Sequence, residues 1–258
     1  MLTSKKIILF ANGLPGLEIC KYLISTEDEI IRLYVIDFDD DFAKKIIRES
    51  KLDSSKIFSA KTIHENSQIS ELQKLSIDYM ITVYWPYLLK PEIFKIAING
   101  CINFHPALLP INRGWYPHVH SILDGSPTGV TLHLIDENAD TGPILIQKEV
   151  LLEPVDTAKT IYLKLQQEII SLFQNNWEKI KNHEILPQSQ DEFKAIYHKK
   201  SELDQLDLLD LDKEYKAKDL INLLRSRTFG TTGYAYFLHN GKKVYLNLRL
   251  SYNKEFLS

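Results

Sequence analysis

Cysteine is nearly missing: the 258 residues contain two, Cys20 and Cys101, each inside an apolar segment. That scarcity argues against a disulfide framework and for buried free thiols in a reducing compartment. A charge excess is missing as well. With 31 basic and 34 acidic residues, a formal charge of −3 and a pI near 6.3, the chain has no overall basic footprint. Non-specific nucleic-acid binding is therefore not expected, and any anionic ligand must be held locally. Near the start, the apolar run after Lys6 is too short for a signal peptide or a membrane span and leads straight into Asn12-Gly13. No membrane partner is expected, and the setting is read as cytoplasmic. Nor does a cysteine or third histidine accompany His118-Val119-His120 at ligand spacing, so no metal is expected.

What is present is a 44% hydrophobic chain long enough for one large core and a small appendage. Lys6-Ile7-Ile8-Leu9-Phe10-Ala11 reads as a strand buried on both faces of a parallel sheet. Asn12-Gly13 turns it, and Leu14-Pro15-Gly16-Leu17-Glu18 opens a helix with proline near its first position. Residues 30–37 give a second strand, 42–50 an amphipathic helix, and 56–58 and 79–83 further strands. Such alternation implies an α/β fold with a Rossmann-like, doubly wound, mainly parallel sheet. A nicotinamide site at the first glycine turn is disfavoured. The spacing Gly13-Leu14-Pro15-Gly16 lacks the second glycine of the dinucleotide fingerprint, and Pro15 removes an amide.

After Val83 the sequence Tyr84-Trp85-Pro86-Tyr87-Leu88-Leu89-Lys90-Pro91 places three aromatics and two prolines at a strand's carboxyl end. Either it is a stiff turn sealing the sheet, or it lines a pocket for a flat heteroaromatic ligand; position favours the second. An apolar strand then delivers Asn103 and His105, two residues apart and so on one face, and a turn carries Asp140. Singly these residues are ordinary turn formers or core polar groups. Together they supply a base, an oxyanion donor and a carboxylate that orients the base, the set that acyl transfer to an amine requires.

Asn103-Phe104-His105-Pro106-Ala107-Leu108-Leu109-Pro110, followed by Gly129-Val130-Thr131, His133 and Asp140-Thr141-Gly142-Pro143-Ile144-Leu145, resembles the formyltransferases that use N10-formyltetrahydrofolate. That family includes enzymes acting on glycinamide ribonucleotide, methionyl-tRNA and nucleotide sugars. By position, the resemblance implies Asn103, His105 and Asp140 as the catalytic set. It assigns Tyr84, Trp85, Pro86, Tyr87 and Leu88 to the folate pocket. The segment Asn112-Arg113-Gly114-Trp115-Tyr116-Pro117 is similar to the loop of bacterial enzymes that formylate a dTDP-linked amino-dideoxy sugar. There Arg113 could fork onto a pyrophosphate, Gly114 permits close approach, and Trp115 or Tyr116 could stack on thymine or sugar. Asn12 is a further candidate contact. The implied acceptor is dTDP-4-amino-4,6-dideoxyglucose, in synthesis of a surface polysaccharide such as O-antigen. Alternatives are the 3-amino-3,6-dideoxy sugar, methionyl-tRNA, or a nucleotide-binding module without turnover.

Three successive parts are expected: a catalytic domain over 1–185, a linker over 186–213, and a C-terminal helix and hairpin over 214–258. A long amphipathic helix closes the first, about 158–181, and Leu186-Pro187-Gln188-Ser189-Gln190 is polar. A helix over 216–225 precedes two alternating strands, 233–239 and 242–250, joined at Asn240-Gly241, a strong hairpin signal. This tail is acidic at its start, which disfavours RNA. A lone hairpin is marginal, so its apolar face, with Tyr234, Tyr236, Val244 and Leu246, implies cover by a second subunit in a homodimer.

Overall fold

The computed structural model describes residues 4–253; of the expected C-terminal part, 254–258 lie outside the described residues. A seven-stranded sheet is built from β1 (Lys6–Ala11), β2 (Glu29–Val35), β3 (Ile57–Ser59), β4 (Tyr79–Val83), β5 (Cys101–His105), β7 (Gly129–Leu134) and β8 (Ile144–Glu149), in the order β3-β2-β1-β4-β5-β7-β8. Strands β1 to β5 pair in parallel, whereas β7 runs antiparallel to β5. Helices α1 (Gly13–Ser25), α2 (Asp41–Ser50), α3 (Asn66–Leu72) and α4 (Pro91–Phe94) supply the connections. Ile7, Ile8, Leu9 and Phe10 are all buried, which explains the unbroken apolar run: both faces of β1 are covered. The order reverses between β1 and β4, so their carboxyl ends open onto the switch point of a doubly wound sheet.

Two compact units emerge from the fold. The first comprises Met1–His105, Thr131–Gln147 and Gln166–Gln190; the second comprises Pro106–Val130, Lys148–Leu165 and Asp191–Ser258. These are not three successive segments. The second unit takes in β6 (Arg113–Gly114), α5 (Pro117–Asp124), β9 (Tyr197–His198), α7 (Ala217–Ser226), β10 (Thr228–Phe229), β11 (Thr232–Gly233), β12 (Tyr236–His239) and β13 (Lys242–Tyr245). Part of the stretch expected as a linker is paired, because β9 lies parallel to β6. The hairpin strands are shorter than alternation suggested. Thr232 and Gly233 pair back onto Phe229 and Thr228, which diverts the chain before β12 begins. Tyr234 and Val244 remain exposed in the single chain. His118 and His120 sit on α5 and not on a strand, since Pro117 starts a helix there.

The 24-residue helix α6 (Ala158–Lys181) carries Ile169, Phe173, Trp177 and Ile180 at spacings of three and four, all buried in the first unit. Near its end, the Trp177 Nε1 proton goes to Asp28 Oδ2 at 2.7 Å and the Lys181 ammonium lies 3.0 Å from the same oxygen. The Lys5 amide donates to Asp28 Oδ1 at 2.9 Å. Cys20 and Cys101 are buried free thiols, and burial pushes Cys20 up to about 12. Neither is poised as a nucleophile.

Burial resists ionisation of Asp28, yet the bonds from Trp177, Lys5 and Lys181 outweigh it and hold the carboxyl below its usual range. Asp28→Ala leaves the buried indole N–H unpaired and Lys181 with Glu178 alone, and should cost roughly 2 kcal/mol at pH 7, read as a lower urea midpoint. Because the folded pKa is depressed, this contribution is complete above about pH 4 and is lost as pH falls through the folded value. The gap between Asp28→Ala and the parent should therefore narrow on acidification; a gap that widens at low pH would refute the pairing.

Candidate active site

Strand register brings the first cluster together. Thr82 of β4 is opposite Asn103 of β5, which is opposite His133 of β7, so three polar side chains form a row across an otherwise apolar sheet. Thr82 Oγ1 donates to Asn103 Oδ1 at 2.8 Å. The amide is oriented from its other end: its Nδ2 hydrogens face His133 and the Asp140 carboxylate, which leaves Oδ1 toward the hydroxyl. His133 Nδ1 lies 2.9 Å from the Leu134 carbonyl, which can only accept, so Nδ1 carries a hydrogen and Nε2 accepts from Asn103 Nδ2 at 3.0 Å. The second amide hydrogen points to Asp140 Oδ1 at 3.3 Å. Oδ1 is also 3.5 Å from His105 Nδ1 and 3.5 Å from His133 Nε2. One carboxylate oxygen is thus the meeting point of an amide and two imidazoles. His105 and His133 are buried, while Asn103 and Asp140 are half-buried.

Asp140 reaches this place from a strained turn. Its φ is +58°, and two residues on a Cβ at Gly142 would lie 1.8 Å from the Leu134 carbonyl oxygen, so only glycine fits. Gln190 closes the turn, its Nε2 donating to the carbonyls of Asp140 at 2.8 Å and Gly142 at 2.7 Å. Thus 186–190 brace the Asp140 turn: Gln188 also bridges Ile144 in both directions. The structure brings Asn103, His105 and Asp140 together. The fixing roles of Thr82, His133 and Gln190 were not read beforehand. For Thr82 a signal existed, since it is the polar residue within the buried strand Tyr-Met-Ile-Thr-Val.

At the switch point Asn12 donates its side-chain amide to the Tyr84 carbonyl at 2.9 Å, and its backbone amide to the Val83 carbonyl at 3.1 Å. In this arrangement it ties the two loops together, where a ligand contact had been expected. Trp85 packs edge-on against Phe10 and Tyr87, with centroids 5.3 and 5.8 Å away. Its Nε1 is buried with no partner among the described residues. Tyr87 is 50% and Leu88 73% exposed, and Pro86 is exposed beside them. The loop therefore offers a dry donor and an open apolar surface, a combination that fits a flat ring bearing acceptors.

In the second unit, Arg113 is buried and forks onto a carboxylate: Nη1 to Glu192 Oε2 at 2.9 Å and Nη2 to Glu192 Oε1 at 2.7 Å. The bidentate geometry expected for a pyrophosphate is spent on Glu192. Gly114 has φ +86°, and a Cβ there would meet the His198 carbonyl oxygen at 2.4 Å. Trp115 is exposed with Lys200 Nζ 5.1 Å from its ring, and Tyr116 takes a left-handed conformation just before α5. His120 and His198 stack face to face, centroids 3.4 Å apart, with Glu202 beside them. Parallel ring planes do not converge on an ion, and His198 already faces Glu202 and Asn112, so the group is a poor metal centre. His118 stacks on Tyr162 instead; residues two apart on a helix point to different sides.

Residues 27–175 match the family model described as Formyl transferase. The chain belongs to this family. Residues 202–252 match a second model, the N-formyltransferase dimerization C-terminal domain. The chain is similar to the dTDP-4-amino-4,6-dideoxyglucose formyltransferase of Mycobacterium tuberculosis, 33% identical over 155 residues that cover 60% of this chain and 66% of that protein. It is also similar to the bifunctional polymyxin resistance protein ArnA of Wigglesworthia glossinidia brevipalpis, 29% identical over 96% of this chain but 38% of that protein. These matches thus span less than two thirds of the relatives' own length. Among solved structures, a sugar N-formyltransferase from a Shewanella species aligns with TM-score 0.82 at 26% identity, covering 97% of this chain and 99% of that one. A 4-N formyltransferase from Francisella tularensis gives TM-score 0.82 at 26% identity, over 96% and 98% of the two chains. The formyltransferase fold is common to all of these.

Burial, with His120 and Arg227 nearby, pushes His118 down to about 4; burial and then His198 do the same to His120. A histidine held neutral in the folded state contributes stability that is present above the unfolded pKa and is lost as pH falls toward the folded one. Between about pH 6.5 and 4 the chain should lose up to about 1.4 kcal/mol per pH unit for each of these histidines. His118→Gln and His120→Gln should each flatten the melting temperature across that window. A pH profile identical to the parent's would dismiss the burial as its cause.

Proposed function

We propose that the chain transfers the formyl group of N10-formyltetrahydrofolate to the amine of a dTDP-linked amino-dideoxy sugar. The first candidate is dTDP-4-amino-4,6-dideoxyglucose, in cytoplasmic synthesis of a surface polysaccharide such as O-antigen. The observation that carries the chemistry is the convergence of Asn103 and His105 on one oxygen of Asp140, with His133 holding the amide, inside a formyl transferase domain. The acceptor class rests on the likeness to the Mycobacterium sugar enzyme and on the second match at the C-terminal end. Tyr84, Trp85, Pro86, Tyr87 and Leu88 would hold the folate ring, the orphan Trp85 N–H supplying a donor. Trp115 and Tyr116 would offer aromatic faces to the nucleotide or sugar.

In the proposed reaction the uncharged sugar amine attacks the formyl carbon, and the tetrahedral adduct collapses by breaking the bond to N10, which takes up the proton the amine lost and leaves as tetrahydrofolate. His105 takes the amine proton, and Asp140 on its Nδ1 side orients the ring and favours the charged form that results. Asn103 donates to the oxygen on which charge develops, one amide hydrogen leaving His133 or Asp140 to do so. Two copies would pair through the hairpin, which leaves Leu238 and Tyr245 exposed on one face and Val244 on the other.

The second acceptor reading is the 3-amino-3,6-dideoxy sugar. Methionyl-tRNA follows: a methionyl-tRNA formyltransferase from Thermodesulfovibrio yellowstonii is 37% identical, but over only 49% of this chain and 41% of that protein. The net charge of −3 does not favour RNA. A panel of dTDP-amino sugars and methionyl-tRNA incubated with formylated folate, read by product mass, tests the assignment; formylated methionyl-tRNA with no formylated sugar would end it.

His105→Asn should lower kcat by about 100-fold or more with dTDP affinity nearly unchanged. Thr82→Val removes the hydroxyl that donates to the Asn103 oxygen and helps hold the amide, and should cost about tenfold in kcat. A Thr82→Val enzyme with parental turnover would show that amide orientation does not limit the reaction.

A further inference from the structure

The loop read above as the acceptor contact is held, residue by residue, by one distant segment of its own unit. Asn112 is fully buried with φ +59°. Its amide nitrogen donates to the hydroxyls of Ser121 and Ser126, each at 2.9 Å, which turns its carbonyl oxygen toward His198 Nε2 at 3.0 Å. The other ring nitrogen of His198 lies 2.9 Å from Glu202 Oε2, and the ring face rests on His120. Hydrogen bonds at both ends and a stack on one face leave His198 little rotational freedom.

Arg113 is gripped by Glu192 through both guanidinium nitrogens, while its backbone amide donates to the Ile196 carbonyl at 2.8 Å. Trp115 donates its backbone amide to the His198 carbonyl at 3.1 Å. Between these two bonds Gly114 approaches His198 too closely for any side chain. The exposed partner of the ion pair is Glu192, at 67%, and the guanidinium is 5% exposed. A buried arginine neutralised by a carboxylate holds backbone more readily than it recruits a second anion.

We propose that residues 191–202 form a strap that sets the Asn112-to-Trp115 loop for a nucleoside-diphosphate sugar, with Glu192 and His198 as its positioning residues. The inference rests on the reading of that loop as the acceptor contact. It gives Arg113 the task of fastening the loop to the strap, and leaves the loop's backbone and Trp115 to meet the ligand. Neither positioning residue touches the reacting atoms, so the effect falls on binding and not on the chemical step.

The test uses the full chain and dTDP as the probe. Glu192→Ala and His198→Ala should each weaken dTDP binding by about tenfold in calorimetry, with kcat at saturating substrate within about threefold of the parent. His198→Gln, which keeps a donor toward Asn112, should restore most of the affinity. In a double-mutant cycle, Arg113→Ala combined with Glu192→Ala should be no worse than either alone. Amide exchange at Arg113 and Trp115 should accelerate in both alanine variants. Should an alanine variant fail to fold, Glu192→Gln and His198→Leu carry the same comparison.

If Glu192→Ala tightened dTDP binding, Glu192 would be a competitor for Arg113 and the strap would be wrong. Unchanged affinity in a parent that binds dTDP, or unchanged exchange at the two amides, would equally overturn it. A parent that does not bind dTDP at all defeats the acceptor reading. The strap is then decided by exchange alone: acceleration at Arg113 and Trp115 supports it, and parental rates refute it.

Discussion

Strand register is the constraint on which the rest of the site depends. Thr82, Asn103 and His133 interact because β4, β5 and β7 place them side by side, and a slip of one residue in either pairing would turn one of them to the opposite face. Register is in turn enforced by burial. Met80 and Ile81 of β4, Ile102 and Phe104 of β5, and Val130 and Leu132 of β7 are all buried, so no strand can shift without exposing apolar surface or burying unpaired polar groups. The polar row is therefore a dependent of the apolar sheet. Its amide is oriented by His133 and Asp140, and its imidazole by the Leu134 carbonyl.

This explains which features were legible in the sequence. The sheet was, because a strand covered on both faces must be largely apolar, as Ile7 to Ala11 of β1 are and as β4 is apart from Thr82. The proximity of Asn103 to His105 followed from strand periodicity, whereas Asp140 was assigned beside them through the family resemblance. Interactions made by residues far apart in sequence were not legible. Arg113 carries the same five donors whether it meets a phosphate or Glu192, and residue type cannot tell these apart. The polar run at 186–190 looked like a linker, although Gln190 braces the Asp140 turn.

The two compact units are not consecutive along the chain. Residues 106–130 leave the sheet after β5 and return as β7, so a single excursion carries Arg113 and Trp115 between two strands that hold parts of the polar row. Changes within that excursion can alter the loop while the flanking strands keep their pairing. A family with one fold and several acceptors can vary in this way, since sites diversify most readily in loops set on a rigid sheet.

The ties from 191–202 to that excursion also impose an order of events. Glu192 and Arg113 are 79 residues apart in sequence, and His198 and Asn112 are 86 apart. Contacts of such separation close large loops and form late, and on a ribosome they must await synthesis of the second partner. Strands β4, β5 and β7 and the Asp140 turn have all emerged by then. A nascent chain can thus assemble its row of Thr82, Asn103 and His133 well before the Asn112 side chain has a histidine to meet, and the loop is the last of these pieces to mature.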